Sequence, residues 1–124
     1  MSDEPDYDLI DPGIRDVVRY VRWWGLPTSD SGDGASKPAH WYESGEALRV
    51  PHVFAMERDV EAGTDDHELI PIWIGKAAVM SRELLGGRPP NPGQEITVSY
   101  NAADRTLLFA VYGFTNEDIP KERR

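Results

Sequence analysis

The clearest period in the chain begins after Asp11. Apolar residues fall at Ile14, Val17, Val18, Val21 and Trp24, the spacing of one face of a helix. Asp11 suits the N-cap, and Pro12 suits the first helical position, where its missing N–H costs nothing. Gly25 ends the helix and Pro27 prevents its continuation. The opposite face carries Asp16, Arg19, Tyr20 and Trp23. Trp23 sits about half a turn from the Ile14 stripe. It therefore asks for a covering surface, either a partner or a second layer from the chain's own tail or an adjacent loop.

Beyond that helix the period changes. Leu26 to Ser31 reads as a short strand, and Ser31 to Lys37 as a glycine-rich loop. Residues 38–48 are a long excursion with aromatics. Arg49 to Met56 alternates as a strand, with Val50 and Phe54 on one side, and Pro51 places it at a sheet edge or marks its beginning. An acidic connection follows over 57–66. Thr64 or Asp65 can open a second helix, with Glu68 as the capping-box partner of Asp65. Its apolar stripe is Leu69, Trp73, Ala77, Met80 and Leu84, and it stops at Gly86-Gly87. Pro71 either lies in the first turn of this helix or kinks it. RPPNPG reads as a rigid linker, and Glu95–Tyr100 and Thr106–Gly113 alternate as a β-hairpin around Asn101–Asp104.

The order α-β-β-α-β-β predicts an α+β fold, with two helices packed on one face of a four-stranded, mainly antiparallel sheet. The domain is expected over residues 11–113, between a flexible acidic tail at 1–10 and a charged tail at 114–124. Val17, Val21, Trp24, Phe54, Trp73 and Phe109 are expected to meet in one core cluster, each from the apolar side of its element.

Composition narrows the function. The chain of 124 residues suits one core, and its net charge of −9 excludes a direct nucleic-acid binder, which needs a positive face. The chain has no Cys, hence no disulfide, thiolate metal site or Cys nucleophile. No apolar run spans a bilayer and MSDEPDYDLI is not a secretory signal, so a cytoplasmic, non-membrane protein is expected.

The chemistry-bearing side chains concentrate in Thr28, Ser29, Asp30, Ser31, Gly32, Asp33, Gly34 and Lys37, with His40, Trp41, Tyr42 and His52 nearby. Glycines let successive N–H groups converge on an anion, and hydroxyls and Lys37 would support that. Yet GDGASK is neither a P-loop nor a GxGxxG fingerprint. Two carboxylates suit ribose hydroxyls, a base edge or a cation better than a highly charged phosphate. An EF-hand fails because His40 stands where a bidentate Glu is needed. Asp30 or Asp33 with His40 and His52 offers a zinc or acid–base set, unsupported by any HxH or HxxxH spacing. The bland alternative is a solvated turn whose Asp and Ser side chains cap their own backbone.

DPGIRDVVRYVRWWG, TSDSGDG and PHV together resemble a set of small uncharacterised proteins of actinobacteria and their phages. These share a DPGIRxxV helix, a TxxSGDG loop and a P-x-V strand. The likeness covers the first half of the chain and departs from the pattern at Trp23-Trp24. It implies a phage or phage-related origin and a role in host interaction, and no catalytic residue. The leading expectation is therefore a non-enzymatic binding protein without a cofactor or bound metal, and a homo-oligomer. It would hold a nucleotide-like polar ligand between the residues of 28–42 and His52, or block a host component. The first alternative is a protein–protein inhibitor working through Asp16, Arg19, Tyr20, Trp23 and the acidic surface. The second is a small Asp/His metal-dependent hydrolase.

Overall fold

The computed structural model describes residues 7–32, 50–61 and 68–123. It contains helix α1 (Arg15–Trp23), strands β1 (Thr28–Gly32) and β2 (His52–Glu57), helix α2 (Leu69–Leu85), and strands β3 (Glu95–Asn101) and β4 (Thr106–Tyr112). The sheet order is β1-β2-β4-β3, with every neighbouring pair antiparallel. The α+β architecture expected from the α-β-β-α-β-β order is the one observed.

Helix α1 follows a single 3-10 turn at Pro12–Ile14 and buries Val17, Val18 and Val21 together with Ile14. Asp11 stands at the start of that turn, but its side chain makes no capping hydrogen bond. The Asp16 N–H is instead taken by Asn116 Oδ1 at 2.8 Å, and Asn116 Nδ2 donates to the Pro12 carbonyl at 2.7 Å. At the other end, Gly25 adopts φ 82°, a conformation that favours glycine, and its N–H returns to the Arg22 carbonyl at 2.8 Å. Lys76 Nζ donates to the Trp24 carbonyl at 2.7 Å, placing a cation at the negative end of the helix.

Helix α2 begins at Leu69 with Pro71 in its first turn, so Pro71 does not kink it. Trp73, Met80 and Leu84 are buried, Leu69 and Ala77 pack against them, and Gly86 terminates the helix in the left-handed conformation. Thr64 and Asp65 lie outside the described residues; Glu68, the expected capping-box partner of Asp65, immediately precedes Leu69 and its side chain makes no capping hydrogen bond.

The sheet turns Val53 and Ala55 of β2 and Leu107, Phe109 and Val111 of β4 toward the helices. Trp73 meets Phe109 edge-on at 6.0 Å between ring centroids. This corrects the expected phase of β2. Phe54 has the opposite parity to Val53 and Ala55, so it stands on the outer sheet face beside His52 and Tyr112 and outside the core cluster. Trp24 is half-buried at the margin of that cluster, and Val17, Val21, Trp73 and Phe109 lie within it as expected. Pro51 immediately precedes β2, marking the strand's beginning; the strand itself is internal.

The terminal segments are also part of the fold. Phe114 and Ile119 are buried in the core, so residues 114–123 are no tail. Thr115 and Asp118 close a reciprocal capping box over a 3-10 turn, and Arg88 Nη2 reaches Asp118 at 3.2 Å. Gly113 has φ 77°, and a Cβ there would lie 2.5 Å from the Gly93 carbonyl oxygen, so only glycine fits this crossing of chains. At the N-terminal side, Tyr7 and Ile10 pack on the core cluster.

These two faces give different expected losses. Trp73→Ala should lower unfolding free energy by about 3–5 kcal/mol, as for other large buried aromatics. Phe54→Ala should cost less than half of that. Urea unfolding of the two variants checks the order, and a larger loss at Phe54 would reverse the phase of β2.

Candidate functional site

The residues expected to bind a ligand divide into two groups. Thr28 to Gly32 form β1, an edge strand, so Ser31 and Gly32 belong to a strand and not to the glycine-rich loop expected from Ser31 onward. Thr28 Oγ1 accepts from Arg22 Nη1 at 3.0 Å, and Asp30 Oδ1 accepts the Ser31 N–H at 2.9 Å. Asp30 thus bonds its neighbouring backbone within β1. Ser29 and Asp30 are exposed, Ser31 is half-buried and Gly32 is buried. Asp33, Gly34, Lys37, His40, Trp41 and Tyr42 lie outside the described residues, as does His67.

His52 pairs with Gly32 across β1 and with Tyr112 across β4, and it is 1% exposed. Its Nδ1 is 3.3 Å from the Val50 carbonyl, and its ring lies 5.0 Å from that of Phe54. Phe54 in turn meets Tyr112 edge-on at 5.7 Å. Burial raises the Tyr112 pKa, and Glu95 directly opposite adds to the rise. Sequence reading missed Phe54 and Tyr112 as neighbours of His52. The shared parity of His52 and Phe54 was the available signal. Among the described residues no group of His, Asp and Glu can hold a metal ion.

The residues expected at an interface also separate. Tyr20 does not face away from the core; it is fully buried. Its position is three residues from Val17, which brings it back onto the buried side of the helix. Asp16 pairs with Arg19 at 3.1 Å, and the Arg19 guanidinium lies 4.4 Å from the Tyr7 ring centroid. These contacts tie the first half of the outer helix face to the N-terminal segment. Trp23 alone of the four remains a large exposed hydrophobe, 57% exposed. Its ring meets Trp24 edge-on at 5.4 Å, and Arg123 stacks on it at 4.0 Å. Arg123 is itself 3.4 Å from Glu83 of α2. The chain's own C-terminal segment supports this Trp without covering it.

Beneath this corner, the Tyr20 hydroxyl is buried near the Trp24 indole and the Glu83 carboxylate, with good hydrogen-bond geometry to neither. Burial is the main cause of a strongly raised Tyr20 pKa, and Glu83 adds to it. Among the described residues, open grooves flank the helices. One, of about 520 Å³, is lined by Arg22, Gly25, Leu26, Pro27, Thr28 and Glu57. Another, about 490 Å³, lies at the end of α2 among Ser81, Arg82, Leu85, Gly87 and Arg88. No helix among the described residues is long and apolar enough to cross a membrane.

The Tyr20 environment sets a pH dependence. Its folded pKa lies above the ordinary 10.0, so the native state keeps this proton longer than the unfolded chain. The resulting stability is fully present below pH 10.0 and is lost as pH rises above it. Urea midpoints measured between about pH 9 and 11.5 should fall for the natural chain and fall less steeply for Tyr20→Phe. Equal slopes would place the alkaline loss elsewhere.

Comparison of the chain with protein-family models, with curated proteins and with solved structures yields no match.

Proposed function

We propose that this chain is a non-enzymatic binding module that engages a protein partner through the Trp23 corner, and that its role is to block a host component, as the phage-type resemblance of its first half implies. The observation that carries this reading is the combination of exposure and rigidity at Trp23. The ring offers more than half its surface to solvent, yet it is held between Trp24 and the Arg123 guanidinium. A preorganised aromatic loses little conformational freedom on binding, and Trp is among the residues that dominate interface energy. The net charge of −9 favours a basic partner surface through electrostatic steering.

A second reading keeps a polar small molecule as the ligand. The groove containing Arg22, Thr28 and Glu57 supports it, because Thr28 is the first of the residues expected to bind such a ligand. A guanidinium and a carboxylate at one groove suit a ligand with both acceptor and donor groups.

The two readings separate in one experiment. The natural chain, Trp23→Ala, and the paired variant Asp30→Ala, Asp33→Ala are expressed in a host to equal soluble levels. Growth or phage-defence phenotype is then scored. Loss with Trp23→Ala alone is expected, with affinity for the retained host protein falling about 30-fold, as for an interface hot spot of about 2 kcal/mol. Loss only with the Asp pair, joined by calorimetric binding of a nucleoside phosphate, would transfer the function to the ligand reading.

A further inference from the structure

The outer side of α2 is anomalous for an acidic chain. A helix that is apolar on nearly every side is normally buried. Here Trp73, Met80 and Leu84 face the core, yet Ile72 is 50% exposed, Ile74 54% and Val79 45%. The chain has 22 acidic residues, but Glu83 is the only one within Leu69–Leu85, and it is held by Arg123. Self-repulsion between two copies is therefore weakest on this helix.

Gly75 stands in the middle of the exposed side. Glycine inside a helix is less stable than alanine, so a mid-helix glycine needs a local reason. None exists within the described chain: φ is ordinary, and a Cβ at Gly75 would meet nothing within 4 Å. A close approach from outside supplies the reason. By the helical period, Pro71, Ile72, Ala78 and Val79 lie within about 60° of Gly75 around the helix, and all are exposed. Ile74 lies about 100° away and borders that face.

We propose that α2 packs antiparallel on α2 of a second copy, with the two-fold axis at Gly75. The charges favour this occupant. A two-fold axis at residue 75 brings Ile72 against Ala78 of the second copy and Pro71 against its Val79. It also brings Glu68 against Arg82 of the second copy, and the reverse. Glu68 and Arg82 are exposed, opposite in sign, equally far from Gly75 along the chain and within about 20° of it around the helix. The face is therefore complementary to itself, as an isologous interface must be. Small residues at the crossing point permit the short end of the usual range of helix separations. The contact extends about 21 Å along the helix, which places it among small, reversible interfaces.

This arrangement is independent of the Trp23 reading, because Gly75, Glu68 and Arg82 are not part of that corner. Sedimentation velocity of the full chain, from about 1 to 200 µM, reads it at the concentrations where an interface of this size forms. The natural chain is expected to shift from monomer to dimer within that range. Gly75→Leu should be monomeric throughout with undiminished thermal stability, since Leu is the better helix former. Arg82→Glu should weaken the dimer at least about tenfold, through two like-charge contacts, and Glu68→Arg, Arg82→Glu together should restore it to within about threefold. A natural chain that stays monomeric overturns the proposal. So does a dimer indifferent to Gly75→Leu or to Arg82→Glu, or a double reversal no better than the single one.

Discussion

The pairing of β2 with β4 is the constraint on which the other contacts depend. These strands come from opposite halves of the chain and lie at the centre of the sheet. Their register sets Val53 opposite Val111 and Ala55 opposite Phe109, all turned toward the helices. The small Ala55 leaves room beside the large Phe109 ring, which Trp73 of α2 meets edge-on. A slip of one residue in β2 would turn His52, Phe54 and Met56 toward the helices in place of Val53 and Ala55, and would lose the match of the small Ala55 to the large Phe109 ring. The buried His52 and the exposed helix faces are both consequences of that one register.

The connections then fasten the helices to the sheet from outside the regular elements. Asn116 supplies the acceptor that the start of α1 lacks, and Lys76 supplies the cation at its end. The exit from β2 is held by Val60, whose carbonyl accepts from Tyr100 Oη at 2.6 Å and whose N–H donates to the Arg105 carbonyl at 2.9 Å. Gln94 joins the linker to the end of β4 by donating to the Gly113 carbonyl, while its own oxygen accepts from Arg88 and from the Asn91 N–H. Such side-chain closures satisfy backbone groups that turns would otherwise leave to solvent. They also explain how a C-terminal segment rich in charge comes to sit against the core.

The same closures shape the outer surface. Arg123 bridges Glu83 of α2 to the Trp23 ring at the end of α1. Glu83 is one turn beyond Val79, so the aromatic corner and the apolar side of α2 belong to neighbouring parts of one helix pair. A symmetric pair of chains joined along α2 would present two Trp23 corners together, and two linked sites gain avidity without a new contact.

Much of the fold was legible because its strongest signals are local. The Ile14–Val21 stripe, the Gly86 stop and the β3–β4 alternation each depend on residues within a few positions of one another, whereas Pro71 left a first-turn position and a kink equally open until the structure placed it in the first turn of α2. The apolar stripe of α2 similarly announced Trp73, Met80 and Leu84 as core. What required the tertiary structure was the choice among equally patterned faces. In β2, His52-Val53-Phe54-Ala55 is apolar on both parities, and only the partner strand decides that Val53 and Ala55 go inward. Tyr20 is amphipathic, so burial depended on what packed above it. The cap of α1 comes from Asn116, a distance of 100 residues along the chain, and no local rule reaches that far. Trp23 was readable as an exposed ring in need of support, because its angle on the helix follows from period alone. That the support is Arg123 was decided by the folding of the C-terminal segment onto the core, through the burial of Phe114 and Ile119.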